Sequence, residues 1–183
     1  MINKITENND TTLILAIMDG NEEEACNIVR NNINNLIGHV NSYKDTSLLL
    51  CIHYSMEKLA LIILETGFAN SGNIDAHGNS ALIFSIKKNM QSVSNAILKY
   101  NNDYNINHVD NHNDSALTIS IRQNMNDVSE KIIDNPNCNL SFIDGQGDTP
   151  LLIAIDMCNE QLVLQILNTG RQCNPGHINL HKY

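Results

Sequence analysis

Apolar residues recur along the chain in short runs separated by polar loops, and the runs come in pairs. The first of each pair is a five-residue run, LILAI, LLLCI, LIFSI, LTISI or LLIAI, opening at Leu13, Leu48, Leu82, Leu117 and Leu151. The second is an apolar doublet 15 and 16 residues after that leucine: Ile28-Val29, Ile63-Leu64, Ile97-Leu98, Ile132-Ile133 and Ile166-Leu167. The opening leucines lie 35, 34, 35 and 34 residues apart. Self-similarity at this period marks stacked helix pairs, in which a repeat buries its apolar stripe against its neighbours.

The residues around each run predict where the helices start and stop. Two positions before each leucine stands a hydroxyl: Thr11, Thr46, Ser80, Ser115 and Thr149. Such a side chain accepts a hydrogen bond from the free N–H groups of a first helical turn. Pro150 follows Thr149, at a position where its missing N–H costs nothing. Each run closes on a small residue and an isoleucine, Ala16-Ile17, Cys51-Ile52, Ser85-Ile86, Ser120-Ile121 and Ala154-Ile155. The small residue lets a neighbouring helix approach, and the isoleucine is expected to fill the core between repeats. Gly20, Ser55, Asn89, Asn124 and Cys158 come seven after the leucine, where a left-handed residue would end the short helix; glycine and asparagine tolerate that backbone. The doublet is the buried stripe of a second helix, and Gly67 and Gly170 end that helix in repeats two and five. A polar loop then runs to Asp75, Asp110 or Asp144 and a turn.

The stretch DGQGDTPLLIAI, Asp144 to Ile155, resembles the ankyrin pattern D-x-x-G-x-T-P-L-H-x-A-A, and the other registers agree with it. The resemblance implies a mainly α fold, an ankyrin-repeat solenoid of helix-turn-helix units with hairpin-like loops. It predicts one ankyrin-repeat domain over 1–183, with repeats 6–40, 41–74, 75–109, 110–143 and 144–177 and a truncated tail 178–183. The histidine of the pattern is replaced by Ile14, Leu49, Ile83, Thr118 and Leu152, so its hydrogen bond is expected to be lost. The glycine before the hydroxyl is Lys44 in repeat two and Asn113 in repeat four, which puts the local turn in question. The stretches MEKLALIILETGFANSGNID (Met56 to Asp75) and LNTGRQCNPGHIN (Leu167 to Asn179) are similar to the ankyrin variant of giant DNA viruses of amoebae (mimivirus-like), which carries M-x-x-V-A-x-x-L-I-E-T-G-x-S-N-P. The frequent asparagines read as the base bias of an AT-rich genome.

Charge and cysteine usage narrow the function classes. The net charge of -9 argues against nucleic-acid binding, which needs clustered Lys and Arg, and against adhesion to an anionic membrane. The polar start MINKITENND is not a signal peptide, and no run approaches the roughly 18 apolar residues of a membrane span. Five scattered cysteines, Cys26, Cys51, Cys138, Cys158 and Cys173, fit reduced thiols in a cytosolic or nuclear protein; a cytoplasmic location is expected, the host cytoplasm for a viral protein. The polar second helix of repeat one, EEEACNIVRNN, reads as an N-terminal cap, its acidic start suiting the helix dipole. The end, HINLHKY, lacks such a cap and reads as the edge of a fragment.

No nucleophile constellation or phosphate-binding glycine loop is present, so catalysis and cofactors are not expected. Cys158, Cys173, His177 and His181 suggest zinc, but the first two are placed at the ends of different helices, where four ligands would not converge. The resemblance implies a non-catalytic, monomeric module that binds a protein partner on a concave surface of hairpin tips and first helices. The framework is expected to leave free two tip residues, the residue before the hydroxyl and two residues at the end of the first helix. The candidate partner-binding residues are Tyr43, His53, Tyr54, His77, Lys87, Lys88, His112, Arg122, Gln123 and Gln146. The helix-end pairs are acidic outside and basic in the middle, so an acidic, partly aromatic partner segment is expected; solvated helix ends, where basic residues suit the dipole, are the alternative. Two uses fit this module: a substrate-recruiting arm of a ubiquitin ligase or adaptor, and a decoy of a host signalling protein. A further reading makes the chain a substrate for asparagine hydroxylation, at Asn41 or Asn107.

Overall fold

The computed structural model describes residues 5–31, 36–100 and 104–179. Parts of predicted repeats one and three, and most of the predicted tail, lie outside those residues. Ten helices are formed among the described residues: α1 Thr12–Met18, α2 Glu22–Asn31, α3 Ser47–His53, α4 Glu57–Glu65, α5 Ala81–Lys87, α6 Gln91–Tyr100, α7 Ala116–Arg122, α8 Asn126–Asp134, α9 Pro150–Asp156 and α10 Glu160–Asn168.

The local signals act as read. Thr11, Thr46, Ser80, Ser115 and Thr149 each accept a hydrogen bond from the N–H three residues on, at 3.2, 3.2, 3.4, 3.2 and 3.3 Å. Pro150 lies in the first turn of α9. The exits Gly20, Ser55, Asn89, Asn124 and Cys158 all have left-handed backbones, and Gly67 and Gly170 do the same after α4 and α10. The opening leucines are buried in all five repeats.

The turn before each first helix is locked by one side-chain oxygen. Asn41, Asp75, Asp110 and Asp144 accept from the backbone N–H groups two and four residues ahead, at 2.7 to 3.0 Å. In repeat one Thr6 accepts from the N–H of Asp10. Antiparallel bridges Val40–Thr46, Ile74–Ser80 and Val109–Ser115 give these loops their hairpin character. Lys44 and Asn113 keep the turn despite lacking the expected glycine: both adopt the left-handed conformation, with φ of 67° and 61°, as Gly78 and Gly147 do. The loss expected with the missing histidine does not extend to Thr118. Its hydroxyl accepts from the N–H of Ser115 at 3.0 Å and closes a capping box.

The chain divides into two compact units, Met1–Asn105 and Ile106–Tyr183. In the first, α1, α3 and α5 pack in sequence as one layer, α2, α4 and α6 as a second, and each pair packs on itself. In the second, α7 packs on α8 and α9, and α10 on α8 and α9. Buried hydroxyl pairs tie the helices of two repeats together: Ser85 with Ser94 and Ser120 with Ser129, both at 2.8 Å. Arg171 reaches back to the end of α8 and donates to the carbonyls of Ile133, Asn135 and Cys138.

Two apolar positions depart from expectation. Ile17, Ile52, Ile86 and Ile121 are fully buried, but Ile155 is 51% exposed. Leu167 is likewise exposed, whereas Val29, Leu64 and Ile133 in its register are buried. Both belong to the last described helix pair, α9 and α10, and among the described residues no helix pair follows it to cover them.

The asparagines, read as base bias, have a structural use. The side-chain amides of Asn9, Asn73, Asn107, Asn113 and Asn174 donate to carbonyls of Val40, Lys44, Asn137, Ile143 and Ser141, each in a neighbouring loop. Loop backbone away from a regular sheet needs such partners.

Candidate functional site

In the first unit the turns before α3 and α5, the ends of α1 and α3 and the middle of α5 line a groove of about 350 Å³. Its wall is aromatic. Tyr43 from one turn and Tyr54 after α3 are 58% and 45% exposed; His53, His77 and the half-buried Phe84 also line it, over a floor that includes Leu49 and Leu50. The His53 ring meets Tyr54 edge-on at 4.9 Å and Phe84 at 6.3 Å between centroids. Lys88 lies over the Phe84 ring, 5.7 Å from its centre, and donates to the His53 carbonyl at 3.3 Å.

The same groove is acidic. Asp45 and Asp75 line it, and no Lys or Arg does. Burial pushes the Asp45 carboxyl above the usual range; the charges of Asp75 and Asp10 push the same way, and His53 partly offsets them. Asp75 accepts the two turn N–H groups on one oxygen and the neutral Asn79 amide on the other, at 2.9 Å. The Asp45 carboxylate accepts no hydrogen bond among the described residues.

The second unit treats the same register differently. Arg122, at the end of α7, donates to Asp144 Oδ2 at 2.6 Å and Asp148 Oδ2 at 3.1 Å. Both carboxylates are buried. Burial would lower the guanidinium pKa, but the bonds and charges of the two aspartates outweigh it and hold Arg122 charged. Asn179 donates to Asp148 Oδ1 at 2.7 Å and to the Gln146 carbonyl at 2.9 Å, and His177 bonds the Gly147 carbonyl at 3.0 Å.

Nine of the ten candidate residues are exposed; Arg122 is half-buried. The first unit brings Tyr43, His53, Tyr54 and His77 together around the groove. Lys87 donates to Asn79 Oδ1 at 2.7 Å, so it shares the framework role that Arg122 has. His112, Gln123 and Gln146 are exposed in the second unit. Three positions expected to be free belong to the framework. Asn79 and Asp148, each before a capping hydroxyl, are buried. A side chain on the tip residue Gly145 would stand 1.9 Å from the His112 carbonyl oxygen. Asn41, considered for hydroxylation, is buried, its amide donating to Asp10 at 2.8 Å. Asn107 bonds the Asn137 carbonyl and the Asn139 N–H. Among the described residues no cluster of His, Cys, Asp and Glu is arranged for a metal, and His181 lies outside them. No described helix is long and apolar enough to cross a membrane.

The candidate set missed Phe84, Asp45 and Asp75 as members of one groove. Phe84 left a signal: its register holds Leu15, Leu50, Ile119 and Ile153 elsewhere, so the ring is the odd residue in an aliphatic position.

The coordinates are similar to the crystal structure of an ankyrin repeat domain from Acinetobacter baumannii AYE, with a TM-score of 0.71 over 94% of this chain and 87% of that one. The fold is the ankyrin-repeat fold. Sequence identity over the match is 20%, so the likeness is one of architecture. No protein-family model matches the chain, and no curated protein matches it.

Proposed function

We propose that this ankyrin-repeat chain is a non-catalytic protein-interaction module, and that its first unit presents the main contact surface. The observation that carries the reading is the groove: Tyr43, His53, Tyr54 and His77 line it on a frame whose turns are locked by their own hydrogen bonds. Aromatic side chains held on a rigid frame contribute large contact area at low entropic cost, which is why they anchor interfaces. The ankyrin-repeat fold is one whose members generally bind proteins. A recruiting arm of a ubiquitin ligase and a decoy of a signalling protein both use such a surface, and a host protein is the partner if the origin is viral.

Affinity capture from a cell lysate tests the reading, with the chain beside its Tyr43→Ala/Tyr54→Ala variant. Because both tyrosines are exposed, the variant should stay folded and lose the partner. A partner retained by it moves the contact away from the groove. The second reading, an acidic partner segment, draws on Lys87 and Lys88, both exposed at the end of α5. Reversing Lys88 tests it, with a Lys88→Met control for the loss of its contacts to the His53 carbonyl and the Phe84 ring, since Lys87 and Arg122 bond the turns themselves.

A further inference from the structure

Resting on that protein-binding reading, we infer that the groove of the first unit receives one lysine or arginine side chain of the partner, whose cationic head stands between Asp45 and Asp75 with the aromatic rings around its stem.

The repeats supply the argument. His53 and Arg122 occupy the same register, five residues after the opening leucine, and Asp75 and Asp144 open the turn that follows each. In the second unit the register is closed from within, by the Arg122 guanidinium on Asp144 and Asp148. In the first unit the shorter His53 ring packs against Tyr54 and Phe84. Among the described residues it makes no hydrogen bond to Asp75. What remains beside Asp75 and Asp45 is the groove of about 350 Å³, room for a long side chain. The tips differ in the same sense: Ala76 lines the groove with a Cβ to spare, whereas Gly145 in its register has space for none.

The lining is complementary to a cation. Asp45 has a partly buried carboxylate with no hydrogen-bond donor among the described residues, and a guanidinium or ammonium would supply one. Faces of Tyr43 and Tyr54 attract cations through the ring quadrupole, a use that Lys88 over the Phe84 ring already shows within the chain. A carboxylate guest would meet Asp45 and Asp75 as like charges.

The test is a heteronuclear NMR titration of the full chain with N-acetyl-Gly-Arg-Gly-amide. Its counterpart carries citrulline, which has nearly the same shape and no charge. Amide signals of Tyr43, His53, Tyr54 and His77 are expected to move with the arginine peptide and to respond at least fivefold more weakly to the citrulline peptide. Asp45→Asn should weaken the arginine peptide at least fivefold. His53→Arg, which places the chain's own guanidinium in the register, should abolish binding while thermal unfolding shows the variant folded. Equal binding of both peptides, no binding of either, or unchanged binding by His53→Arg overturns the inference. The two readings fail separately. A lysate partner lost by Tyr43→Ala/Tyr54→Ala but kept by Asp45→Asn overturns the cationic guest and leaves the interaction module. Arginine-specific shifts without any lysate partner keep the cation site and remove the protein partner.

Discussion

Between the end of α7 and the turn before α9 stands a guanidinium, bonded to two buried carboxylates; between the end of α3 and the turn before α5 stands an imidazole, and a groove lies open beside it. The backbone of the two places is the same: a hydroxyl-capped helix, a left-handed exit, and an aspartate that locks the next turn. The differences lie in the side chains: His53 stands in the register of Arg122, and the neutral Asn79 in that of Asp148. In the second unit an internal cation staples the two carboxylates of one turn, whereas in the first unit carboxylates of two turns line a groove that no Lys or Arg of the chain lines. Stability and recognition thus compete for one register.

The largest contrast concerns two isoleucines that close the first helix of their repeats in one register, Ile86 and Ile155. Ile86→Ala should cost about 3–4 kcal/mol, because a fully buried isoleucine leaves a cavity. Ile155→Ala, in the same register but half exposed, should cost less than about 1 kcal/mol. Urea denaturation of both variants measures the pair, and equal losses would mean that Ile155 is covered in solution.

Next comes the staple. Arg122→Ala strands the Asp144 and Asp148 carboxylates in a buried setting and should cost about 3 kcal/mol. His53→Ala, on an exposed ring, should cost less than about 1 kcal/mol. A midpoint shift for His53→Ala as large as that for Arg122→Ala would erase the distinction between staple and open surface.

A smaller effect sits in the turn beside the groove. Lys44 holds a left-handed backbone at φ 67°, where a Cβ is strained. Lys44→Gly should therefore stabilise the chain by about 1 kcal/mol, seen as a raised melting temperature. A destabilised variant would show that the lysine side chain contributes more than its backbone strain costs.

The smallest is the pH response of Asp45. Its carboxyl is raised in the fold, through burial first and the neighbouring aspartates after that. The folded chain then holds this proton more tightly than the unfolded chain does, so ionising Asp45 opposes folding. The penalty is absent below the unfolded value of about 3.9 and sets in as pH rises through the folded value. Asp45→Asn should raise stability more at pH 7 than at pH 4, by paired urea titrations. Equal gains at both pH values would show that its carboxyl is not raised.

Much of this architecture was legible because its causes are local. A threonine or serine two residues before an apolar run caps a helix through its own hydroxyl, whatever lies elsewhere. Ser55 and Cys158, neither of them usual left-handed residues, still adopt that backbone because the pair of helices must reverse there. Lys44 and Asn113 looked doubtful for the same reason in the opposite sense: a turn locked by Asn41 or Asp110 imposes its geometry on the residue it holds. The candidate site was less legible. Tyr43, His53, Tyr54 and His77 were named from their register alone, but their company was not, since Phe84 and Asp75 belong to the next repeat. Arg122 looked like a free cation until its carboxylates, 22 and 26 residues away, were placed beside it.

The sequence by itself determined the period, the helix starts and ends, and the positions that the frame leaves exposed, because capping, chain reversal and apolar periodicity act within about one repeat. Tertiary structure decided which of those positions are engaged. Asn79, Asp148 and Gly145 are framework, and Asp45 with its aromatic neighbours is open. Burial and charge compensation depend on what the adjacent repeat brings within a few ångströms, and the register of a single repeat does not contain that information.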